Sequence, residues 1–402
     1  MSSEANKPQA TASTMPSNKP PFWNDPEKRA LLFQALLILV VGLGIWAIVS
    51  NTLSNLEQRG ITTGFGFFHE TAGFGILQSL IPYTETDTYG RTFFVGLLNT
   101  LLVSVIGIVF ATILGFLLGV ARLSKNWLIS KIALVYIEVF RNIPLLLQIF
   151  FWYFAVLRAL PSARQSLSFG DAFFLNVRGF YVPRPVFENG SLGILIALVI
   201  GVVATVFLSI WSKKRQDQTG QTFPMFFAGL GLVVGLPVLA FFVTGMPVSL
   251  DMPELKGFNF RGGVTIIPEF LALVVALSIY TAAFIGEIVR SGIQSVNHGQ
   301  TEAASALGLS NGKTLKLVII PQAMRVIIPP LTSQYLNLTK NSSLATAIGY
   351  PDLVSVFAGT TLNQTGQAIE IIAITMAVYL TISLAISTFM NWYNNRMALV
   401  ER

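Results

Sequence analysis

The 402-residue sequence contains no cysteine and only two histidines, and charged residues make up just 11% of it. Without cysteine the chain cannot form disulfides, thiolate nucleophiles or sulfur-ligated metal sites, and His69 and His298 alone make a histidine metal centre improbable. A soluble domain typically carries about 25% charged residues. With 53% hydrophobic residues and a mean hydropathy of +0.65, the sequence instead predicts an integral membrane protein.

Eight segments are apolar and long enough to cross a bilayer as helices, which takes about 20 residues. The seventh is poorly hydrophobic, because Lys340 and a run of amide and hydroxyl side chains fall within it. Residues 1–30 are rich in serine, proline and asparagine, which is typical of a disordered tail. The predicted fold class is therefore an all-α integral membrane protein with about eight transmembrane helices. These are expected at residues 31–50, 92–120, 132–157, 192–211, 223–243, 270–290, 324–349 and 369–391.

Lysine and arginine are unevenly distributed among the segments that join these helices. If the N-terminus is inside, the inside segments hold twice as many cations as the outside ones. An excess of cations favours the cytoplasmic side. We therefore expect both termini and the loop at about residues 294–324 to be cytoplasmic, and residues 51–91 to form a loop on the opposite side. Four arginines in the second outer loop, at residues 158–190, oppose the rule.

The second span contains four glycines, Gly96, Gly107, Gly115 and Gly119. Small residues in transmembrane helices let neighbouring backbones approach closely. This span is therefore predicted to make close contact with other helices.

A polar and cationic stretch at residues 297–330 separates the sixth and seventh spans. Within it, Thr301 is suited to cap a short helix, Glu302 is favourable near its N-terminus, and Gly308 is suited to end it. Three residues at helical spacing would give this helix one small apolar face: Ala303, Ala306 and Leu307.

A second short helix is predicted to follow, capped by Ser310 or Asn311 and ended by Pro321. Helices this short are marginal alone in water, so a docking partner is a natural source of their stability. An amphipathic loop helix without a partner is the alternative interpretation.

The spacing of residues in this loop resembles that of a known family. Glu302-Ala303-Ala304 is followed after three residues by Gly308, and after nine more by Val318-Ile319-Ile320-Pro321. This is similar to the cytoplasmic EAA loop of ABC importer permeases, whose short helix fits a groove on the ATPase subunit. The resemblance implies that residues 302–321 couple this chain to a separate ATPase. The implied interface residues are Thr301, Glu302, Ala303, Ala304, Ala306, Leu307, Gly308, Leu309, Ser310 and Pro321.

Three further segments resemble the polar amino-acid permeases of that family, the histidine and glutamine permease type. Residues 140–148, FRNIPLLLQ, are similar to the family's FRGTPLLVQ signature, with Asn142 and Ile143 replacing glycine and threonine. Residues 280–293 resemble its YTAAYIAEIVRGGI segment, and residues 340–344 match its KNSSL segment. These matches cover spans two, three, six, seven and eight, which correspond to the family's five-helix type I importer core.

The chain is longer than this core. Residues 92–402 would form the permease domain, with a helical hairpin inserted at about 190–245, and the span at 31–50 would be an addition. With these features the chain looks most like the general L-amino-acid permeases of Gram-negative bacteria. The resemblance implies a multi-pass, non-catalytic subunit of the bacterial inner membrane that imports L-amino acids from the periplasm.

The resemblance also implies partners for this chain. They are a second homologous permease in a heterodimer, two ATP-binding subunits and a periplasmic amino-acid-binding protein, within the lipid bilayer and without nucleic acid. ATP and Mg would be bound by the partner ATPase, and no cofactor or metal is expected on this chain.

Ionisable residues inside a span cost at least about 2.5 to 3.5 kcal/mol and often mark a transport pathway. Glu138 with Arg141, and Glu287 with Arg290, are spaced to pair on one helix face, so each pair is either structural or part of a pathway. Lys340 suits a substrate carboxylate, with a lysine bonded to backbone carbonyls at a dimer contact as the alternative. The pathway candidates are Arg141, Asn142, Gln148, Tyr280, Glu287, Lys340, Asn341, Ser342 and Ser343.

The sequence contains no convincing catalytic motif. Residues 308–314 resemble a phosphate-binding loop, but only three residues separate the glycines and no strand precedes them. No catalytic set converges around His69 or His298, which fall in loops on opposite sides. The main alternative function is an ion-gradient-driven secondary transporter of small polar solutes. Such transporters often contain inverted repeats, and no convincing repeat is present.

Overall fold

The computed structural model describes residues 25–58, 60 and 63–397. The chain forms two units, residues 1–65 and 66–402, and each is described on its own. In the first unit, helix α1 covers Pro26–Gln58, and many of its large hydrophobic side chains are exposed. It contains the predicted span at residues 31–50, whereas most of the predicted N-terminal tail lies outside the described residues.

The second unit is built mainly of helices. Within the described residues of the whole chain, seven helices are long and apolar enough to cross a membrane, and a bent pair, α3–α4, would make eight. The predicted all-α class with about eight spans is confirmed. The helices are α2 Tyr89–Arg122, α3 Trp127–Asn142, α4 Leu145–Leu157, α5 Leu192–Thr219, α6 Met225–Val243, α7 Pro268–Gln294, α8 His298–Ala306, α9 Asn311–Ile348, α10 Val354–Thr361 and α11 Ala368–Met397.

Helices α3 and α4 occupy the predicted third span, which is sharply bent. Their axes differ by 105°, and the break falls at Ile143 and Pro144. Proline lacks a backbone N–H and disfavours helical geometry at the residue before it. The Gln148 side chain bridges the break, because its Nε2 donates to the carbonyl oxygens of Phe140 at 3.0 Å and Ile143 at 2.9 Å.

Pro321 does not end a helix, which corrects the prediction for the segment before the seventh span. Helix α9 begins at Asn311 and passes through a π-helical turn at Leu315–Ile319. Pro321 then lies in the first turn of the regular α-helical segment Ile320–Asn341. Because α9 begins at Asn311, Pro321 lies inside it, and the π-helical turn just before Pro321 accommodates the missing N–H, so the helix continues.

Helix α7 lies at the centre of the bundle, where it packs against α2, α3, α4 and α9. Within its most apolar stretch 67% of the residues are buried, compared with 28% for α2 and 11% for α11. Leu273, Leu277 and Ile285 are completely buried. A helix that is apolar around most of its circumference is suited to such a central position.

Glycines on α2 set its distance from neighbouring elements. A Cβ built on Gly115 would lie 2.5 Å from the Cβ of Ile285 on α7. Real side chains do not approach so closely, so the absence of a side chain is what allows the two helices to meet. All four predicted glycine contacts are confirmed: Gly96 meets Leu353, Gly107 meets Leu338, Gly115 meets Ile285 and Gly119 meets Val289.

Eight short strands lie in segments that were predicted to be loops. A four-stranded antiparallel sheet has the order β1-β2-β3-β8, and β4–β5 and β6–β7 form separate pairs. Strands of three or four residues are too short for their alternation to be read from the sequence. Their bounds are β1 Leu167–Phe169, β2 Phe173–Asn176, β3 Gly179–Val182, β4 Arg184–Phe187, β5 Val248–Asp251, β6 Glu254–Lys256, β7 Asn259–Arg261 and β8 Val264–Ile266.

The two ends of helix α7 define two faces of the second unit. Strand β8 comes just before α7 and helix α8 comes just after it. Since α7 has 27 residues, these elements are separated by about 40 Å. We call the end with the strands the strand face and the end with α8 the loop face.

Helices α5 and α6 form a hairpin at residues 192–243. Strands β4 and β5 pair at its base. The helices approach closely at Gly201, where a Cβ would collide with the carbonyl oxygen of Leu232. Only 6% of the most apolar stretch of α5 and none of that of α6 is buried. Many of the hairpin's large hydrophobic side chains are exposed.

Candidate functional site

The cap of helix α8 lies before the predicted one. It is Asn297, whose Oδ1 accepts a hydrogen bond from the backbone N–H of Gly299 at 2.8 Å. Thr301 therefore lies inside the helix, which corrects the prediction. Asparagine is at least as strong a cap as threonine and comes earlier in the chain. Glu302 also moves away from the helix start, and its Oε1 lies 3.0 Å from Nδ1 of His298.

The predicted helix end at Gly308 is confirmed. Gly308 has a φ of +73°, and its backbone N–H donates to the carbonyl of Ser305 at 2.9 Å. The N–H of Leu309 donates to the carbonyl of Ala304 at 3.1 Å. Glycine adopts this left-handed closing turn without steric cost. A Cβ on Gly308 would meet no atom within 4 Å, so the need for glycine comes from the backbone alone.

Helix α8 has one face packed against the chain and another left open. Ala304 is 3% exposed, whereas Leu307 is 80% exposed. Ala303 and Ala306 are exposed together with Leu307. The predicted small apolar face therefore points away from the described part of the chain, while Ala304 anchors the helix.

The other residues of the predicted interface divide between α8 and the start of α9. Thr301 and Leu309 are half-buried. Ser310 is the cap residue of α9, although its side chain makes no capping hydrogen bond. Pro321 lies farther along, within α9.

Glu287 and Arg290 form the ion pair that their spacing on α7 predicts. Arg290 Nε donates to Glu287 Oε2 at 3.0 Å, and its Nη2 donates to Oε1. Arg290 also donates to Gln294, so polar contacts run along the last turns of α7 toward α8. Arg122 and Arg141 interact electrostatically with Glu287. The carboxylate therefore interacts with arginines on three helices, Arg122 of α2, Arg141 of α3 and Arg290 of α7, and we call Glu287 with these three arginines the arginine-rich cluster.

The second spaced pair, Glu138 with Arg141, does not form. Asn142 Nδ2 donates to the backbone carbonyl of Glu138 at 2.7 Å and lies 3.5 Å from its carboxylate. The Arg141 guanidinium instead lies 5.3 Å from the centre of the Phe284 ring, and Tyr280 packs on the same ring at 4.9 Å. Glu138 thus contacts the amide of Asn142, and Arg141 contacts the ring of Phe284, in place of the expected ion pair.

Lys340 lines a cavity of about 430 Å³ next to α10 and α11. No carboxylate among the described residues forms a salt bridge with it. The hydroxyl of Ser343 donates to the Lys340 carbonyl and that of the buried Ser342 to the Thr339 carbonyl, each at 2.7 Å. Asn341 is half-buried between them. The remaining lining residues are Val354, Thr375, Met376, Tyr379, Leu380 and Ser383.

The structure divides the pathway candidates into groups. Arg141, Asn142, Tyr280 and Glu287 lie on α3 and α7, whereas Lys340 and the polar residues after it lie on α9. Gln148 is buried and stabilises the α3–α4 break. The first group thus offers the Arg141 guanidinium to an anion, and the second offers one ammonium group and several hydroxyls.

A buried polar network that the sequence analysis missed fixes the start of α10. Asn99 Nδ2 donates to the carbonyl oxygens of Gln78 at 2.8 Å and Pro351 at 2.9 Å. Thr100 Oγ1 accepts from the backbone N–H of Leu353 at 3.0 Å. Non-helical backbone at membrane depth is tolerated where protein groups satisfy it. Pro351 in the sequence indicates that a helix is interrupted there. The α2 residues that bond to this segment could not be predicted, because they are about 250 residues away in the chain.

The arrangement as a whole is that of a membrane transport subunit. It combines about eight spans, an arginine-rich cluster among three helices, a cavity lined by Lys340 and a short helix exposed at one face. Among the described residues, no group of three or more acidic or histidine side chains is placed to hold a metal.

Comparison with known proteins identifies the family. Residues 197–399 match the family described as "Binding-protein-dependent transport system inner membrane component", and the chain belongs to it. The predicted resemblance to ABC importer permeases is confirmed. Membership implies that the chain is a multi-pass membrane protein that works with an ATPase and a substrate-binding protein.

Three related proteins match nearly the whole chain. The putative amino-acid ABC transporter permease YhdX of Escherichia coli K12 is 59% identical, covering 94% of this chain and 96% of its own. The general L-amino acid transport system permease AapQ of Rhizobium johnstonii is 53% identical, covering 94% of both chains. The glutamate/glutamine/aspartate/asparagine transport system permease BztB of Rhodobacter capsulatus is 43% identical, covering 94% of this chain and 96% of its own.

Proposed function

We propose that this chain is a membrane-spanning subunit of an ATP-driven importer that carries L-amino acids from the periplasm to the cytoplasm. Family membership and the names of its relatives support amino acids as the cargo. The observation that carries the coupling mechanism is the geometry of α8. Its Ala304 is buried in the chain, and its Leu307 is presented to the outside.

In this proposal the loop face is cytoplasmic and α8 fits a groove on the ATPase. The Leu307 side chain would be buried on docking, which is favourable by about 1.5 to 3 kcal/mol for a leucine. ATP and Mg stay on the ATPase, and this chain carries out no hydrolysis. Nucleotide binding changes transport only if it favours one conformation of the importer over the other.

The Lys340 cavity is the best candidate for the cargo's passage. Every amino acid carries a carboxylate, and an ammonium group inside a membrane protein is stabilised by such a partner. Polar backbone next to a broken helix is also typical of transporter binding sites. The hydroxyl of Ser383 and the other polar lining groups would then bind the remaining polar atoms of the cargo.

The arginine-rich cluster around Glu287 would lie between this cavity and the loop face. Arg290 connects Glu287 to Gln294, which comes just before the cap of α8. A shift of α8 would therefore act directly on the end of α7. We propose that this contact passes motion of the ATPase to the spans.

The complete importer in this proposal contains four kinds of subunit. This chain pairs with a second homologous permease, two ATPases dock at the loop face, and the binding protein delivers cargo at the strand face. Both termini are cytoplasmic in this arrangement, and the distribution of lysine and arginine supports this orientation.

The test is reconstitution of this chain alone and of the complete importer in separate proteoliposomes. We expect labelled L-amino acids to accumulate only with the complete importer, the binding protein and ATP. Accumulation by the chain alone under a proton or sodium gradient would instead establish a secondary transporter.

A further inference from the structure

The hairpin formed by α5 and α6 carries a cationic cluster at the loop face. The apolar part of α5, Leu192–Trp211, has about 20 residues and thus spans about 30 Å, the thickness of a bilayer core. The helix continues for two more turns, to Thr219, and ends at Gly220 in a left-handed conformation. Residues 213–215, Lys213-Lys214-Arg215, therefore lie just beyond the hydrocarbon region.

The exposed apolar surface of this hairpin is suited to contact with lipid. Its two helices pack on each other, and only 6% and 0% of their most apolar stretches are buried in the chain. Their exposed side chains are mainly apolar, as at Leu195, Val199 and Phe226, which suits contact with acyl chains. In a bilayer the side chains at the hairpin's end would therefore lie at the level of the headgroups.

The aromatic residues at this end mark the depth of the interface. Trp211 and Phe223 lie 5.7 Å apart between ring centres in an edge-on arrangement. The Arg215 guanidinium lies 5.4 Å from the Trp211 ring, and its Nη2 donates to Gln221 Oε1 at 2.8 Å. Tryptophan is enriched where the hydrocarbon region meets the headgroups. Arg215 is thus held at that level.

The two lysines of the cluster are available for binding. Lys213 and Lys214 are exposed, and neither forms a salt bridge with a carboxylate among the described residues. Asp217 is the nearest acid in sequence, so residues 213–217 keep a net charge of +2.

We infer that Lys213, Lys214 and Arg215 form a binding site for the phosphate of an anionic phospholipid headgroup. The site combines a guanidinium held by Trp211 and Gln221, two exposed ammonium groups and an aromatic pair at headgroup depth. Each cation near a membrane surface strengthens binding of anionic lipid about fivefold. The acyl chains would lie along the exposed surface of α5 and α6.

Native mass spectrometry of the complete importer, titrated with phosphatidylglycerol or phosphatidylcholine, tests this site. We expect Lys213→Gln with Lys214→Gln to weaken the tightest phosphatidylglycerol binding about 20-fold and to leave phosphatidylcholine binding unchanged. Lys213→Arg with Lys214→Arg keeps the charge and should bind like the wild type. Asp217→Asn removes the one acid and should strengthen binding.

Three results would overturn the inference. Phosphatidylglycerol binding that is unchanged in the double glutamine variant would show that the cluster is not the site. Displacement of the lipid by equimolar glycerol 3-phosphate would show a site for free phosphate compounds. Loss of the ATPase subunits from that variant, with lipid binding retained, would assign the cluster to a protein contact.

Discussion

Gly119 of α2 lies directly against Val289 of α7. A Cβ on Gly119 would be 2.6 Å from the Val289 Cβ and 2.8 Å from the carbonyl oxygen of Gly286. The close contact lies near the loop-face ends of both helices, within three residues of Glu287 and Arg290. Helix packing and the arginine-rich cluster therefore depend on the same short segment of α7.

Replacing Gly119 with leucine should separate α2 from α7. Overpacking a tight contact typically costs about 1–3 kcal/mol, so we expect a lower midpoint of thermal unfolding in detergent. Gly44→Leu on α1 is the matched control, because a Cβ there meets no atom within 4 Å. Equal melting of the two variants would show that the α2–α7 contact is not tight.

Leu307→Asp should weaken docking of the ATPase without unfolding the chain. Leu307 is 80% exposed, and exposed substitutions usually change stability by less than about 0.5 kcal/mol. We expect at least about a tenfold loss of ATPase affinity, since a buried leucine contributes about 1.5 kcal/mol or more. Pull-down of the purified ATPase by the permease pair measures this.

Ser305→Asp adds the same charge about half a turn away on α8 and serves as the control for Leu307→Asp. It should retain most of the ATPase. If both variants dock equally well, the apolar face of α8 is not the contact surface.

Lys340→Met should reduce uptake of amino acids by the complete importer. Hydrogen bonds to charged groups contribute about 1.5–3 kcal/mol, so we expect a loss of about tenfold or more in cargo affinity, while Lys340→Arg keeps partial activity. Lys256→Met, at a strand residue paired with Glu254, is the control. Dissociation of the permease pair, with affinity intact, would mean that Lys340 is a dimer contact.

Exchanging the charges of Glu287 and Arg290 should not restore transport. The pair is partly exposed, at 32% and 27%, and such pairs contribute about 1 kcal/mol or less to stability. The exchange would bring a cation toward Arg141 and Arg122, which now interact with Glu287. Glu287→Gln, Arg290→Gln and the exchanged variant should therefore all fold but transport slowly. Full recovery in the exchanged variant would assign the pair a purely structural role.

The spans and the glycine contacts could be predicted because both depend on local composition. A bilayer core requires about 20 apolar residues wherever they occur, and glycine permits close packing whichever partner it meets. The end of α8 at Gly308 was equally predictable, since the residue itself favours the left-handed turn. The Glu287–Arg290 pair followed from helical spacing alone.

The features that the sequence did not reveal depend on competition or on distant partners. Thr301 is a suitable cap by residue type, but Asn297 comes earlier in the chain and occupies the cap position. Pro321 was expected to end a helix, but the π-helical turn before it accommodates the ring. Two of the strand pairs join residues far apart in sequence, as Val182 with Val264 and Val186 with Ser249, and the other strands are too short to give a local signal.

Uptake of labelled L-amino acids by the complete importer, comparing Gly308→Val with Gly312→Val, tests the central claim most directly. Valine is strongly disfavoured at the positive φ of Gly308, whereas no positive φ occurs at Gly312, and a Cβ at either position meets no atom within 4 Å. The account predicts that Gly308→Val abolishes ATP-dependent uptake and that Gly312→Val retains it. ATP-dependent uptake that is indifferent to Gly308, or uptake driven by an ion gradient without the ATPase, would contradict it.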